Sequence, residues 1–117
     1  MDRLAAAVTS RGISIIARID HAAAAAAVGM ELRPTEVLIF GNPQAGTPLM
    51  QAVQTIGIDL PLKALVWQDE SGAAWLAYND PRWLAERHGV DAALDRTLHA
   101  MADALATVAR EATMASA

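Results

Sequence analysis

The stretch FGNPQAGTPLM, residues 40–50, is where residue spacing first suggests chemistry in this 117-residue chain. Gly41, four intervening residues, then Gly46 and Thr47 reproduce most of the phosphate-loop pattern G-x-x-x-x-G-K-[ST]. The apolar run Val37 to Phe40 precedes it as a strand should. The lysine is missing, since Thr47 directly follows Gly46. Pro43 and Pro48 also remove two backbone N–H donors that a phosphate cradle would use. The residues therefore favour a strand-to-helix turn, with Thr47 capping the helix and Pro48 in its first position. Asn42 and Thr47 stay candidates for an anion or small-ligand site, because a helix N-terminus favours negative charge.

His21 is the second candidate. It follows Asp20, which has N-cap chemistry, and opens a run of alanines. The positive end of a helix disfavours imidazolium, and a neutral imidazole can act as base or metal ligand. The competing reading is a ring that bonds a neighbouring backbone group. Tyr78 and Asn79 form the third candidate, a hydroxyl and an amide at the end of a strand. Asp80-Pro81 then reads as a second cap-and-proline helix start. His88 and His99 show no metal-ligand spacing with each other or with His21. A metal site would need His21 to meet distant carboxylates such as Asp69 or Asp80. No serine lies in a G-x-S-x-G setting and no carboxylates are paired for acid–base work. Catalytic residues stay unassigned, and no metal and no cofactor are expected.

The composition narrows the classes further. Net charge is −4 and the nine Lys and Arg are scattered, so no basic face for nucleic acid is expected. There is no cysteine, which excludes disulfides and thiolate metal sites and suits a reducing compartment. The apolar, uncharged run Ala22 to Met30 is too short to span a bilayer, and Met1 to Leu4 lacks a signal-like apolar segment. A cytoplasmic protein without membrane contact is expected, as one domain over residues 1–117.

These side chains need elements to place them. A helix is expected over 2–11, ended by Gly12. Ile13 to Ile19 is rich in β-branched residues with apolar odd positions, which predicts a strand with one well-buried face. His21 to Val28 is helical by alanine content, and Gly29 ends it. Thr35 to Phe40 is a central strand. A short helix is expected from Thr47 to about Ile56. Strands follow at Leu62–Asp69 and Ala73–Asn79, joined by the turn Asp69-Glu70-Ser71-Gly72. A helix runs from Pro81 to His88, and a longer one from a cap at Asp91 to about residue 113. Leu94, Leu98, Met101, Leu105 and Val108 make one apolar stripe along that last helix, with Asp95, Arg96, His99, Asp103 and Arg110 on its wet side. The tail from about Met114 is expected to fray. The order predicts an α+β domain: a small, mainly antiparallel four-stranded sheet covered on one face by helices.

Three runs, PTEVLIFGNP, DLPLKALVW and YNDP, together resemble the family called domain of unknown function 302. The resembling region extends from about Ile13 to Gly89, with the C-terminal helix, about 91–113, beyond it. The resemblance implies a compact α+β fold similar in outline to the TATA-binding-protein-like group. It also implies a homodimer. It carries over no reaction and no catalytic residue. Trp67, Trp75 and Trp83, in a chain otherwise poor in aromatics, and the apolar stripe of the last helix supply surface for an interface. A non-enzymatic homodimer that binds a small ligand or a protein is therefore expected. The alternative is a small enzyme or metal-binding protein with a cleft near His21, Asn42 and Tyr78.

Overall fold

The computed structural model describes residues 1–114; the tail expected to fray otherwise lies outside the described residues. Helix α1, Asp2–Ser10, ends where Gly12 turns at φ 73° and the Ile13 N–H closes on the Val8 carbonyl. Strand β1, Ser14–Asp20, leads into α2, His21–Ala27, where the Asp20 carboxylate accepts the Ala23 N–H at 2.9 Å. Strand β2, Thr35–Gly41, is followed by α3, Pro43–Ala52, and a 3₁₀ turn at Gln54–Ile58. Strands β3, Leu62–Gln68, and β4, Ala74–Tyr78, form the hairpin. Helix α4, Pro81–His88, and a 3₁₀ turn at Ala92–Leu94 precede the long helix α5, Asp95–Thr113.

The four strands form one antiparallel sheet in the order β1-β2-β3-β4. This is the expected α+β architecture. The core covers one face of the sheet. Leu38, Phe40 and Ala64 from the sheet pack against Leu4 and Val8 of α1 and against Leu105 and Val108 of α5. Full burial of side chains such as Leu38 and Phe40 contributes roughly 1.5–3 kcal/mol each. A second cluster joins Leu49 of α3, Ile56, Ala85 of α4, and Leu98 and Met101 of α5. The apolar stripe of α5 thus serves both clusters and is core, which leaves it unavailable as an interface. Leu94, at its start, is only partly buried.

Three expectations need correction. Strand β1 is an edge strand with no well-buried face: all its residues but Ala17 are exposed. A bulge between Ile15 and Ala17 breaks its alternation, because Ile15 pairs with Phe40 and Ala17 with Ile39, so Ile16 has no opposite number. The helix after β2 starts at Pro43, four residues before Thr47, and ends at Ala52. Asp91 caps the short turn at Ala92–Leu94, accepting the Ala93 N–H at 2.9 Å, and α5 follows it.

Candidate ligand cleft

The seam between the two core clusters is an open cleft of about 590 Å³. Its walls come from four stretches of chain: the bulged entry of β1, the end of β2 with α3, the Leu60-Pro61-Leu62 segment, and one face of α5. Most of the lining is apolar, with Phe40, Met50, Met101 and Leu105 contributing large side chains. The bulge matters because it turns Ile16, which is 58% exposed, toward this cleft. Gly41 lets β2 pass close to Pro61: a Cβ there would stand 3.2 Å from the Pro61 Cβ, a tight contact. The polar lining is sparse, with Asn42 and Thr47 from α3 and Arg96 and Thr97 from the first turn of α5. An apolar concavity of this size with a few polar groups is the usual form of a small-molecule site.

The opening loop is one wall of this cleft, and it is not a phosphate cradle. Asn42, not Thr47, caps the helix. Its side-chain oxygen accepts the Gln44 N–H at 2.9 Å, and its carbonyl accepts Ala45 N–H at 2.9 Å and Gly46 N–H at 3.0 Å. Pro43 has no N–H, so the first-turn donors that would hold a phosphate are all occupied. Asn42-Pro43 and Thr47-Pro48 carry the same cap-then-proline signature. The chain uses the first, and Pro48 falls inside the helix at the loss of one backbone hydrogen bond. Thr47 is therefore an exposed residue of the helix body that faces the cleft.

The other candidates lie elsewhere. His21 is exposed at the start of α2. It follows Asp20, the partner of Glu36, whereas Asn42 follows Gly41, the partner of Ser14. The two residues thus sit at opposite ends of the β1–β2 ladder, roughly 20 Å apart at about 3.3 Å per residue. Tyr78 pairs with Ala64 on β3 and, like Asn79, is exposed and outside the cleft lining. His21, Asn42 and Tyr78 do not share a cleft. Asp80 is the α4 cap as read, accepting the Arg82 N–H at 2.8 Å, and the Arg82 guanidinium holds its carboxyl below the usual range.

Two groupings have no signal in the sequence. Arg96 and Thr97 line the cleft although residue pattern puts Arg96 on the wet side of α5; Arg96 is both exposed and part of the cleft rim. The other is Thr55–His88–Asp59. His88 Nε2 lies 2.5 Å from Asp59 Oδ2, and its Nδ1 lies 3.4 Å from the Thr55 hydroxyl. Hydroxyl, imidazole and carboxylate in this order can activate a nucleophile, but 3.4 Å exceeds the roughly 2.6–3.2 Å that activation needs. Neither Thr55 nor His88 lines the cleft. Among the described residues, no group of three His, Asp or Glu is placed to hold a metal ion.

The sequence matches a family model described as domain of unknown function DUF302 over residues 1–108. A solved structure titled uncharacterized conserved protein DUF302, from Bacillus stearothermophilus, superimposes with a TM-score of 0.83 at 20% identity, covering 95% of this chain and 86% of that one. Two further relatives are each 48% identical over 112 residues and cover 96% of this chain. They are named Fluoride-specific ion channel FluC 1, from Brucella suis biovar 1 (strain 1330) and Brucella abortus biovar 1 (strain 9-941). The chain spans only 44% of the first and 42% of the second. No helix among the described residues is long and apolar enough to cross a membrane.

Proposed function

This chain belongs to the family named domain of unknown function DUF302, and we propose that it is a non-enzymatic, homodimeric, cytoplasmic module that binds a small ligand in the cleft between β2, α3 and α5. The cleft itself carries the reading: about 590 Å³ of mostly apolar space, floored by packed core and rimmed by four polar side chains. The homodimer rests on the sheet face turned away from α1 and α5. Ile19, Val37, Leu65 and Ala77 lie in one row across it, and Trp67 stacks on Trp75 with ring centroids 6.2 Å apart. Trp75 is 53% exposed there. An isologous pairing of two such faces would bury this apolar surface.

A test that assumes no ligand class is native mass spectrometry of protein purified without added small molecules. The expected spectrum shows twice the 12.3 kDa of one chain, plus a retained mass that is lost in Ala104→Trp, which fills the cleft from α5. A spectrum without added mass, unchanged by that substitution after incubation with cell extract, overturns the reading.

A second reading concerns context. The FluC-named relatives match this chain over less than half their own length, and the described residues of this chain hold no helix long and apolar enough to cross a membrane. The rest of those relatives would then form the channel, and this module would serve a membrane channel for fluoride as its attached or separate partner. Deletion of the module should raise sensitivity of growth to fluoride; growth equal to wild type at every fluoride concentration would argue against that service.

A further inference from the structure

We infer that the ligand of this cleft is a small amphipathic monoanion, with an apolar body against Ile16, Met50 and Leu60 and one anionic head at Arg96. The inference rests on the reading of the cleft as a ligand site. Arg96 is the one charged residue that lines it, and no Asp or Glu does. Among the described residues, no hydrogen bond or ion pair engages its side chain. In this chain of net charge −4, Arg11, Arg18, Arg33, Arg82 and Arg87 each have a carboxylate partner, and Lys63, which like Arg96 has none among the described residues, lies outside the cleft.

The position of Arg96 adds to the case. It stands in the first turn of α5, the positive end of the helix dipole, where a cation is disfavoured and an anion is stabilised. A guanidinium there with no internal partner, at the rim of an apolar hollow, is available to an anion. An external carboxylate or sulfonate would meet it with charge-assisted hydrogen bonds. From Arg96 the same face of α5 continues through Thr97, Ala100 and Ala104 to Leu105 and Val108. The side chains become apolar within two turns. A ligand lying along the helix would therefore be polar at one end and apolar over the rest. The small side chains of Ala100 and Ala104 leave it room. An uncharged apolar ligand would gain nothing from Arg96, and a cationic one would be repelled.

Isothermal titration calorimetry with three ten-carbon probes tests this: decanoate, 1-decanol and decyltrimethylammonium. Decanoate is expected to bind once per chain, at least about tenfold more tightly than 1-decanol, and decyltrimethylammonium more weakly still. Arg96→Gln, an exposed substitution that should not affect folding, is expected to weaken decanoate about tenfold and leave 1-decanol unchanged. Added salt should weaken decanoate alone. Equal binding of decanoate and 1-decanol, both abolished in Ala104→Trp, overturns the anion assignment and leaves the cleft as a ligand site. Binding that survives Ala104→Trp overturns the cleft as well. No binding of any probe to the wild type overturns the amphiphile class, while the native mass spectrum still judges the cleft.

Discussion

His88 Nε2 and Asp59 Oδ2 lie 2.5 Å apart, with side chains only 10% and 15% exposed. The carboxylate accepts, so Nε2 carries a hydrogen. Asp59 also accepts from the Arg87 guanidinium at 3.3 Å. This pairing ties the end of the 3₁₀ turn at Gln54–Ile58 to the last turn of α4, and both elements feed the second core cluster. It is a strap, set apart from the cleft. Asp59→Ala should cost about 1–3 kcal/mol in chemical denaturation, since a nearly enclosed imidazole loses its acceptor. Decanoate affinity should be unchanged. A loss under about 0.5 kcal/mol, the range of an ordinary surface substitution, would mean the strap holds nothing.

The opening loop makes a different prediction. Because Asn42 holds the first turn of α3, Asn42→Ala should destabilise by about 1 kcal/mol, as lost caps do. Thr47→Ala, inside the helix body, should stay within about 0.5 kcal/mol of wild type. ATP or GTP with magnesium should leave the melting temperature unmoved, because the first-turn donors are occupied and a bound nucleotide would have to stabilise the folded state. A larger cost at Thr47 than at Asn42 would restore the later helix start.

The hairpin turn has a pH signature. The Asp69 carboxylate accepts from the Trp75 indole at 2.8 Å and the Ser71 hydroxyl at 2.7 Å, with backbone donors at Ser71 and Ala73. Those donors, Trp75 first, hold its pKa at about 2. A folded value below the unfolded one contributes stability that is fully present above about pH 4 and is lost as pH falls through about 2. Asp69→Asn should therefore lower the melting temperature at pH 7, with the gap to wild type closing between about pH 4 and pH 2. A gap as wide at pH 2 as at pH 7 would show that the charge is irrelevant to the turn.

The dimer predicts a mass. Light scattering at micromolar concentration should give twice 12.3 kDa. Ile19→Glu, at a position 41% exposed on the open sheet face, should give the monomer with an unchanged circular dichroism spectrum. A wild-type mass of 12.3 kDa would remove the dimer.

What the residues disclose on their own follows from how local the physics is. Asp20, Asp80 and Gly89 mark helix ends in the sequence because caps and left-handed turns act within four residues. The apolar run of β2 and the β3–β4 turn are equally local. The start of α3 is ambiguous because two cap-then-proline pairs stand five residues apart, and it is Asn42 whose side chain caps the helix. The exposure of β1 depends on its place at the sheet edge, which no property of Ile13 to Ile19 encodes. The cleft is the least readable feature. Asn42 and Thr47 lie in a suggestive motif, but Arg96 and Thr97 arrive from more than forty residues away on a helix whose polarity pattern points Arg96 to solvent. Only tertiary placement puts them on one wall.

The most direct measurement labels the five methionine methyl groups with carbon-13 and follows them by NMR during a decanoate titration. Met50 and Met101 line the cleft, whereas Met30 and Met114 are exposed outside it. The account predicts saturable shifts of Met50 and Met101 at one ligand per chain, still signals for Met30 and Met114, and loss of the response in Ala104→Trp. Shifts at Met30 or Met114 with Met50 and Met101 unmoved would contradict it.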